Sequence, residues 1–276
     1  MSHSSPPYLA SRVCSRSVSR SSLTNHSERS SDSSIAFLNS NPKQQRPEKL
    51  AINGMDSTTA GDALKWLGSG QYLSAITTFR FSRLEFSQMT ELHMAIQNCI
   101  HTLRYLSLLL PFQVDPTSNT GGHFDIPSFV GHKSLEYLEL NPILARDVDT
   151  FASRLPELLP TSLVHLHIEF DKDFPSIFSP DSQPSWVLID ETLSGPDLSR
   201  LTYVWIWTSP EPENPWNFDL SKIRTTFRAM LPKSFKKGIL WWIGYDLGNG
   251  KGHNISENDD KVVDLQSIRE SYLYGS

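Results

Sequence analysis

The side chains best placed to do chemistry lie along one short stretch, His165-Leu166-His167-Ile168-Glu169, followed by Asp171 and Asp173. In an extended strand alternate residues share a face, so this stretch would present two imidazoles and a carboxylate together. Such a set could hold a divalent metal or supply a general base. A catalytic zinc, however, needs three protein ligands around an open position, and a hydrolase needs a nucleophile beside an oriented base. No Gly-x-Ser-x-Gly phrase supplies the nucleophile. Gly248-Asn249-Gly250-Lys251-Gly252 has the composition of a phosphate loop but not its Lys-Ser/Thr pair or spacing. The expectation is a solvated polar strand face with no metal, no cofactor and no catalytic residue.

A second pattern points to binding. An aliphatic residue, two variable positions, an apolar residue, one variable position and a further apolar residue recur at Ile76/Phe79/Phe81, Leu103/Leu106/Leu108, Leu135/Leu138/Leu140, Leu163/Leu166/Ile168, Leu201/Val204/Ile206 and, more loosely, Leu240/Ile243/Tyr245. The position two after each leading aliphatic is Thr78, Tyr105, Tyr137, His165, Tyr203 and Trp242. Neighbouring columns hold Arg80, Ser107, Glu139, His167 and Trp205, then Ser82, Leu109, Asn141, Glu169 and Trp207. Rings give a large contact area with little side-chain entropy to lose, so an exposed ladder of them suits protein recognition. Tyr105, Tyr137, His165, His167, Tyr203, Trp205, Trp207 and Trp242 are therefore the expected partner-binding residues. The competing explanation is that strands favour aromatics in any case, or that the C-terminal tail covers them.

The elements that must position these columns are strands alternating with helices. Leading positions are separated by 27, 32, 28, 38 and 39 residues. Met89, Leu92, Ile96 and Cys99 fall at helical spacing after a capping Ser87, and Val148, Phe151, Ala152 and Leu155 form a stripe that Pro156 is expected to end. Trp186, Ile189 and Leu193 line a third helix, stopped by Gly195-Pro196. Leu220, Ile223, Phe227 and Met230 line a fourth, capped by Asp219 or Ser221 and closed by Pro232. Leu64, Trp66 and Leu67 suggest a helix before the first strand, and residues 113–131 read as an inserted loop. The pattern predicts an α/β fold: an irregular leucine-rich-repeat solenoid with parallel strands on a concave face and helices on the convex one. A doubly wound α/β enzyme is the alternative, but its strands would be continuous apolar runs, whereas these carry Arg80, Glu136, Glu139, His165, His167 and Glu169.

The phrases Asn98-Cys99-Ile100-His101-Thr102-Leu103-Arg104-Tyr105-Leu106, Ser134-Leu135-Glu136-Tyr137-Leu138-Glu139-Leu140 and Leu159-Pro160-Thr161-Ser162-Leu163-Val164-His165-Leu166 resemble the leucine-rich-repeat regions of F-box proteins of mushroom-forming fungi. The resemblance covers about residues 60–245 and implies a non-enzymatic domain that holds the target of a ubiquitin ligase, with the Skp adaptor and a cullin as partners. The F-box itself would open on a Leu-Pro-x-Glu-like phrase, and residues 1–60 offer only Arg46-Pro47-Glu48-Lys49-Leu50.

Composition sets the outer bounds. The net charge of -5 divides into seven basic and three acidic side chains over residues 1–50, which leaves -9 for the rest. An acidic body repels a phosphate backbone, so no nucleic acid is expected as partner. Residues 1–55 are Ser- and Arg-rich with few large apolar side chains and are expected to be a disordered tail, with Ser15 and Ser19 three residues after arginines. Residues 56–247 form the repeat domain, and 248–276 a polar tail or short capping helix. Two cysteines give neither a disulfide framework nor a zinc site, and no apolar run reaches the ~18 residues of a membrane span. An intracellular protein, cytoplasmic or nuclear, is expected.

Overall fold

The computed structural model describes residues 34–37, 48–53, 61–65, 67, 74–81, 88–109, 126–143, 147–173, 182–209, 220–244, 251–255 and 262–274. The chain divides into residues 1–30 and 31–276, and all the described residues lie in the second unit. Ser15, Ser19, Ser87, Trp66 and Asp219 fall outside them.

Among the described residues ten strands form one sheet: β1 (Ser34–Phe37), β2 (Lys49–Asn53), β3 (Thr78–Phe81), β4 (Tyr105–Leu109), β5 (Tyr137–Ile143), β6 (His165–Asp173), β7 (Tyr203–Ser209), β8 (Leu240–Gly244), β9 (Lys251–Asn254) and β10 (Val262–Asp264). Their order in the sheet is their order in the sequence. From β2 to β8 every pairing is parallel, while β1, β9 and β10 pair antiparallel at the two ends. The protein is thus an α/β protein with a mostly parallel sheet. The order never reverses, so the sheet lacks the switch point at which a doubly wound fold places its ligand crevice. Strands β1 and β2 lie within residues 1–55, so regular structure begins before the expected boundary at residue 56.

Helices α1 (Met89–Asn98), α2 (Val148–Leu158), α3 (Gln183–Ser194), α4 (Leu220–Met230) and α5 (Pro232–Lys237) follow β3, β5, β6 and β7. Their apolar stripes bury Leu92 and Ile96, Phe151 and Leu155, Trp186 and Ile189, Ile223 and Phe227, and Phe235 in one core. That core also holds the alternate strand residues Phe79 and Phe81, Leu106 and Leu108, Leu138 and Leu140, Leu166 and Ile168, and Val204 and Ile206. Period 3.6 on the helices and period 2 on the strands meet there.

Three local corrections have physical causes. Pro156 sits inside α2 rather than ending it: in the last turn only one amide is lost, and Leu159 N–H still reaches Leu155 O at 3.3 Å. Pro232 does follow the end of α4 at Met230, as expected, but it also opens α5, where its missing N–H costs nothing, and α5 closes on Gly238 at a φ of +80°. The third concerns β8. Leu240 pairs with Val204, Trp241 with Trp205 and Trp242 with Ile206, so Leu240 occupies the second position of the phrase and not the first. Trp242 therefore lies in the helix-side core, where its indole N–H meets Thr208 Oγ1 at 3.3 Å.

Strand entry repeats a single backbone device. The carbonyl of Glu48 accepts from the amides of both Thr77 and Thr78, and Thr77, Arg104, Glu136 and Val164 do the same for Arg104/Tyr105, Glu136/Tyr137, Val164/His165 and Thr202/Tyr203, all at 2.7–3.2 Å. The hydroxyl before Leu103, Leu135 and Leu163 adds a tie to the strand connection before it. Thr102 Oγ1 donates to Ile76 O at 2.8 Å, Ser134 Oγ to His101 O at 2.8 Å, and Ser162 Oγ to His132 O at 2.9 Å and Leu135 O at 2.7 Å.

Candidate functional site

The sheet face turned away from α1–α5 carries the columns that the spacing picks out. Thr78, Tyr105, Tyr137, His165 and Tyr203 are neighbours across β3–β7, and Arg80, Ser107, Glu139, His167, Trp205 and Trp241 are neighbours across β3–β8. Rings in the first column stack: Tyr105 on Tyr137 at 4.7 Å between centroids, Tyr137 on His165 at 5.6 Å, and His165 on Tyr203 at 4.7 Å. Trp207 stacks on His167 at 6.3 Å.

This ladder is not exposed. Helix α6 (Leu265–Tyr274) lies across it, drawn from the segment expected to be a polar tail or a short capping helix. Leu265 and Ile268 pack with Trp205, Trp241 and Ile243, and Tyr272 packs against Tyr105, Tyr137 and His165 at 5.4–6.0 Å. At the far side Thr78 Oγ1 donates to Tyr272 O and Lys49 Nζ to Leu273 O. Tyr105, Tyr137, His165, His167 and Trp205 are buried, and Trp242 faces the opposite core; Tyr203 and Trp207 stay half-buried at the margin. The exposed eight-residue ladder is thus corrected: an amphipathic helix has taken its apolar face.

At the centre stands Glu139, fully enclosed. Its Oε1 accepts from Arg269 Nη2 at 2.6 Å and from Asn141 Nδ2 at 2.7 Å, and its Oε2 from Tyr105 Oη at 3.0 Å. Burial alone would raise its carboxyl, but the Arg269 charge and the donated Asn141 amide outweigh it and hold the carboxyl well below the usual range. Arg269 Nη2 also lies 2.7 Å from His167 Nδ1. A guanidinium only donates, so Nδ1 accepts, and His167 is neutral with its proton on Nε2. Burial acts in the same direction, lowering this imidazole. Glu169, one step along β6, has its carboxyl pushed up to about 7 by burial and by the Glu139 charge, with Arg269 opposing.

The fit between α6 and the sheet is incomplete. Asn141 Oδ1, His165 Nδ1, His167 Nε2, Trp205 Nε1 and Arg269 Nε are buried without a hydrogen-bond partner among the described residues. Beside Tyr272 a cleft of about 670 Å³ opens at the strand entries, lined by Lys49, Thr77, Arg104, His165 and Tyr203 among others.

Sequence reasoning placed Glu139 in a column but missed Arg269 and Tyr272. Their signal is the i, i+3 spacing of Arg269 and Tyr272 beside the Leu265/Ile268 stripe, which marks a helix with something to dock without saying where. Compared with protein-family models, with curated proteins and with solved structures, the chain gives no match. No helix among the described residues is long and apolar enough to cross a membrane.

Proposed function

We propose that this chain is a non-enzymatic protein-interaction module of leucine-rich-repeat type, an irregular solenoid whose concave sheet face receives a protein partner. The observation that carries this reading is the strand-entry device repeated on five successive carbonyls, with the ring and carboxylate columns it keeps in register. A repeat stacks such units so that one face is continuous, and a continuous face suits an extended protein surface. The span of α6 supports concavity. A flat sheet would put β2 and β8 about 29 Å apart, whereas the axis from Leu265 to Leu273 covers only about 12 Å. A sheet curved toward the helix lets Lys49 and Trp241 both reach it. The likeness to F-box proteins adds a role as the target-holding part of a ubiquitin ligase.

Affinity purification of the tagged full chain from cells that express it tests the reading, with Trp207→Ala as the paired variant because Trp207 is half-buried and away from the central carboxylate. A protein recovered with the native chain and lost with the variant, at unchanged circular dichroism, is the expected result. Skp adaptor and cullin in the eluate would assign the ligase role. Recovery indifferent to Trp207 and to Tyr203→Ala would sink the concave face as the docking surface.

A further inference from the structure

The protein-interaction reading leaves open what the covered face recognises, and the chemistry beneath α6 narrows it. Glu139 is an enclosed carboxylate that needs a cation whatever covers the face, because its other partners, the Tyr105 hydroxyl and the Asn141 amide, bring no charge. Its Oε1 meets a guanidinium from α6 in the second column, beside stacked rings of the first column that take Tyr272 one turn further on. The same Nη2 also donates to the neutral His167, so one nitrogen of the α6 guanidinium serves two acceptors of the second column. The unsatisfied His165, His167 and Asn141 atoms mean that α6 does not exhaust what the face offers.

We propose that the Glu139 trough is a receptor for a guanidinium-bearing helix of a protein partner, with an aromatic residue three positions after its arginine, and that α6 occupies the trough in cis until such a helix displaces it. This rests on the interaction-module reading and specifies the ligand of that face. Charge complementarity commits the occupant: a helix without arginine would strand the Glu139 carboxylate in an apolar trough, and an acidic helix would meet Glu139 and Glu169 together. Displacement is an exchange between two occupants with the same anchors, so its equilibrium follows the difference in their fit.

The test uses the full chain and a fluorescein-labelled peptide of residues 262–274, read by anisotropy. The chain carrying Arg269→Ala should bind the peptide at least ~10-fold more tightly than the native chain, whose own α6 competes. On that variant the peptide should bind at least ~10-fold more tightly than its own Arg269→Ala version, with the Arg269→Lys version between them. Equal binding of the arginine and alanine peptides overturns the recognition, and equal binding by the native and variant chains overturns displacement. If the Arg269→Ala chain does not fold, the same titrations are run on Tyr272→Ala, which keeps the ion pair. Failure of both to fold makes α6 an integral part of the domain and overturns its exchange. Native chain running as a dimer that the peptide dissociates would make a second copy the occupant and overturn the partner assignment. None of these outcomes bears on whether a partner co-purifies through Trp207, so the two readings fail separately.

Discussion

Arg269 Nη2 and Glu139 Oε1 lie 2.6 Å apart although 130 residues separate them in sequence. The pair is the charged joint between the last helix and the middle of the sheet. Arg269→Ala should lower the urea-unfolding free energy by about 3 kcal/mol, because a buried carboxylate is left without its cation. Adding Glu139→Gln should restore a large part of that loss, since the second change removes the stranded charge. If the losses simply add, the pair is not coupled.

Glu169 predicts a stability that declines with rising pH. Its folded carboxyl, at about 7, lies above the ordinary value, so its contribution is complete below about 4.5 and is lost as pH rises through 7. Glu169→Gln should therefore gain roughly 1–2 kcal/mol over the native chain at pH 8, after allowance for the solvent around a half-buried group, and nothing at pH 4. Thermal melts at the two values check it.

His132 and His165 act in the opposite direction. Burial lowers both imidazoles to about 4; the His93 and His101 charges add to this at His132, and Glu136 opposes it at His165. A depressed imidazole leaves the folded state neutral while the unfolded chain takes up a proton, so stability is full above about 6.5 and is lost as pH falls toward 4. His132 is wholly enclosed, with neither nitrogen bonded among the described residues, and its ring meets Phe129 edge-on at 6.0 Å. His132→Phe should flatten this acid limb in denaturant titrations at pH 4.5 and 7; an unchanged slope would place the proton uptake elsewhere.

Asp190 joins two helices. From α3 it accepts the amides of Lys233 at 2.9 Å and Ser234 at 2.7 Å, the first turn of α5. A buried side chain thus caps a helix whose own residues offer no cap, and Asp190→Ala should cost about 2–3 kcal/mol. Asp190→Asn, which keeps one acceptor, should recover part of this in the same urea titration.

Much of the sheet was legible because the apolar phrase and the polar columns obey one period. Leu106, Leu138, Leu166 and Val204 could be aligned by spacing alone, and the structure pairs them. At β8 two consecutive tryptophans made either phase plausible, and the pairing with Ile206 selected Trp242 for the core. Strand β9, Lys251-Gly252-His253-Asn254, carries no apolar alternation, and only its antiparallel neighbours specify it. The docking of α6 was out of reach for a similar reason. A helix's stripe declares that it must be covered, but the acceptor for Arg269 is contributed by a residue more than a hundred positions earlier.

The five double-accepting carbonyls have a consequence for how such a chain can change over generations. Each of these five strand entries takes two amide bonds at the entry before it, so a strand gained or lost among them would meet the same strand-entry acceptor. What such a change would disturb is α6, whose Arg269 must reach Glu139 on β5 while the helix also meets Lys49 on β2 and Trp241 on β8, so the covering helix acts as a ruler across the sheet.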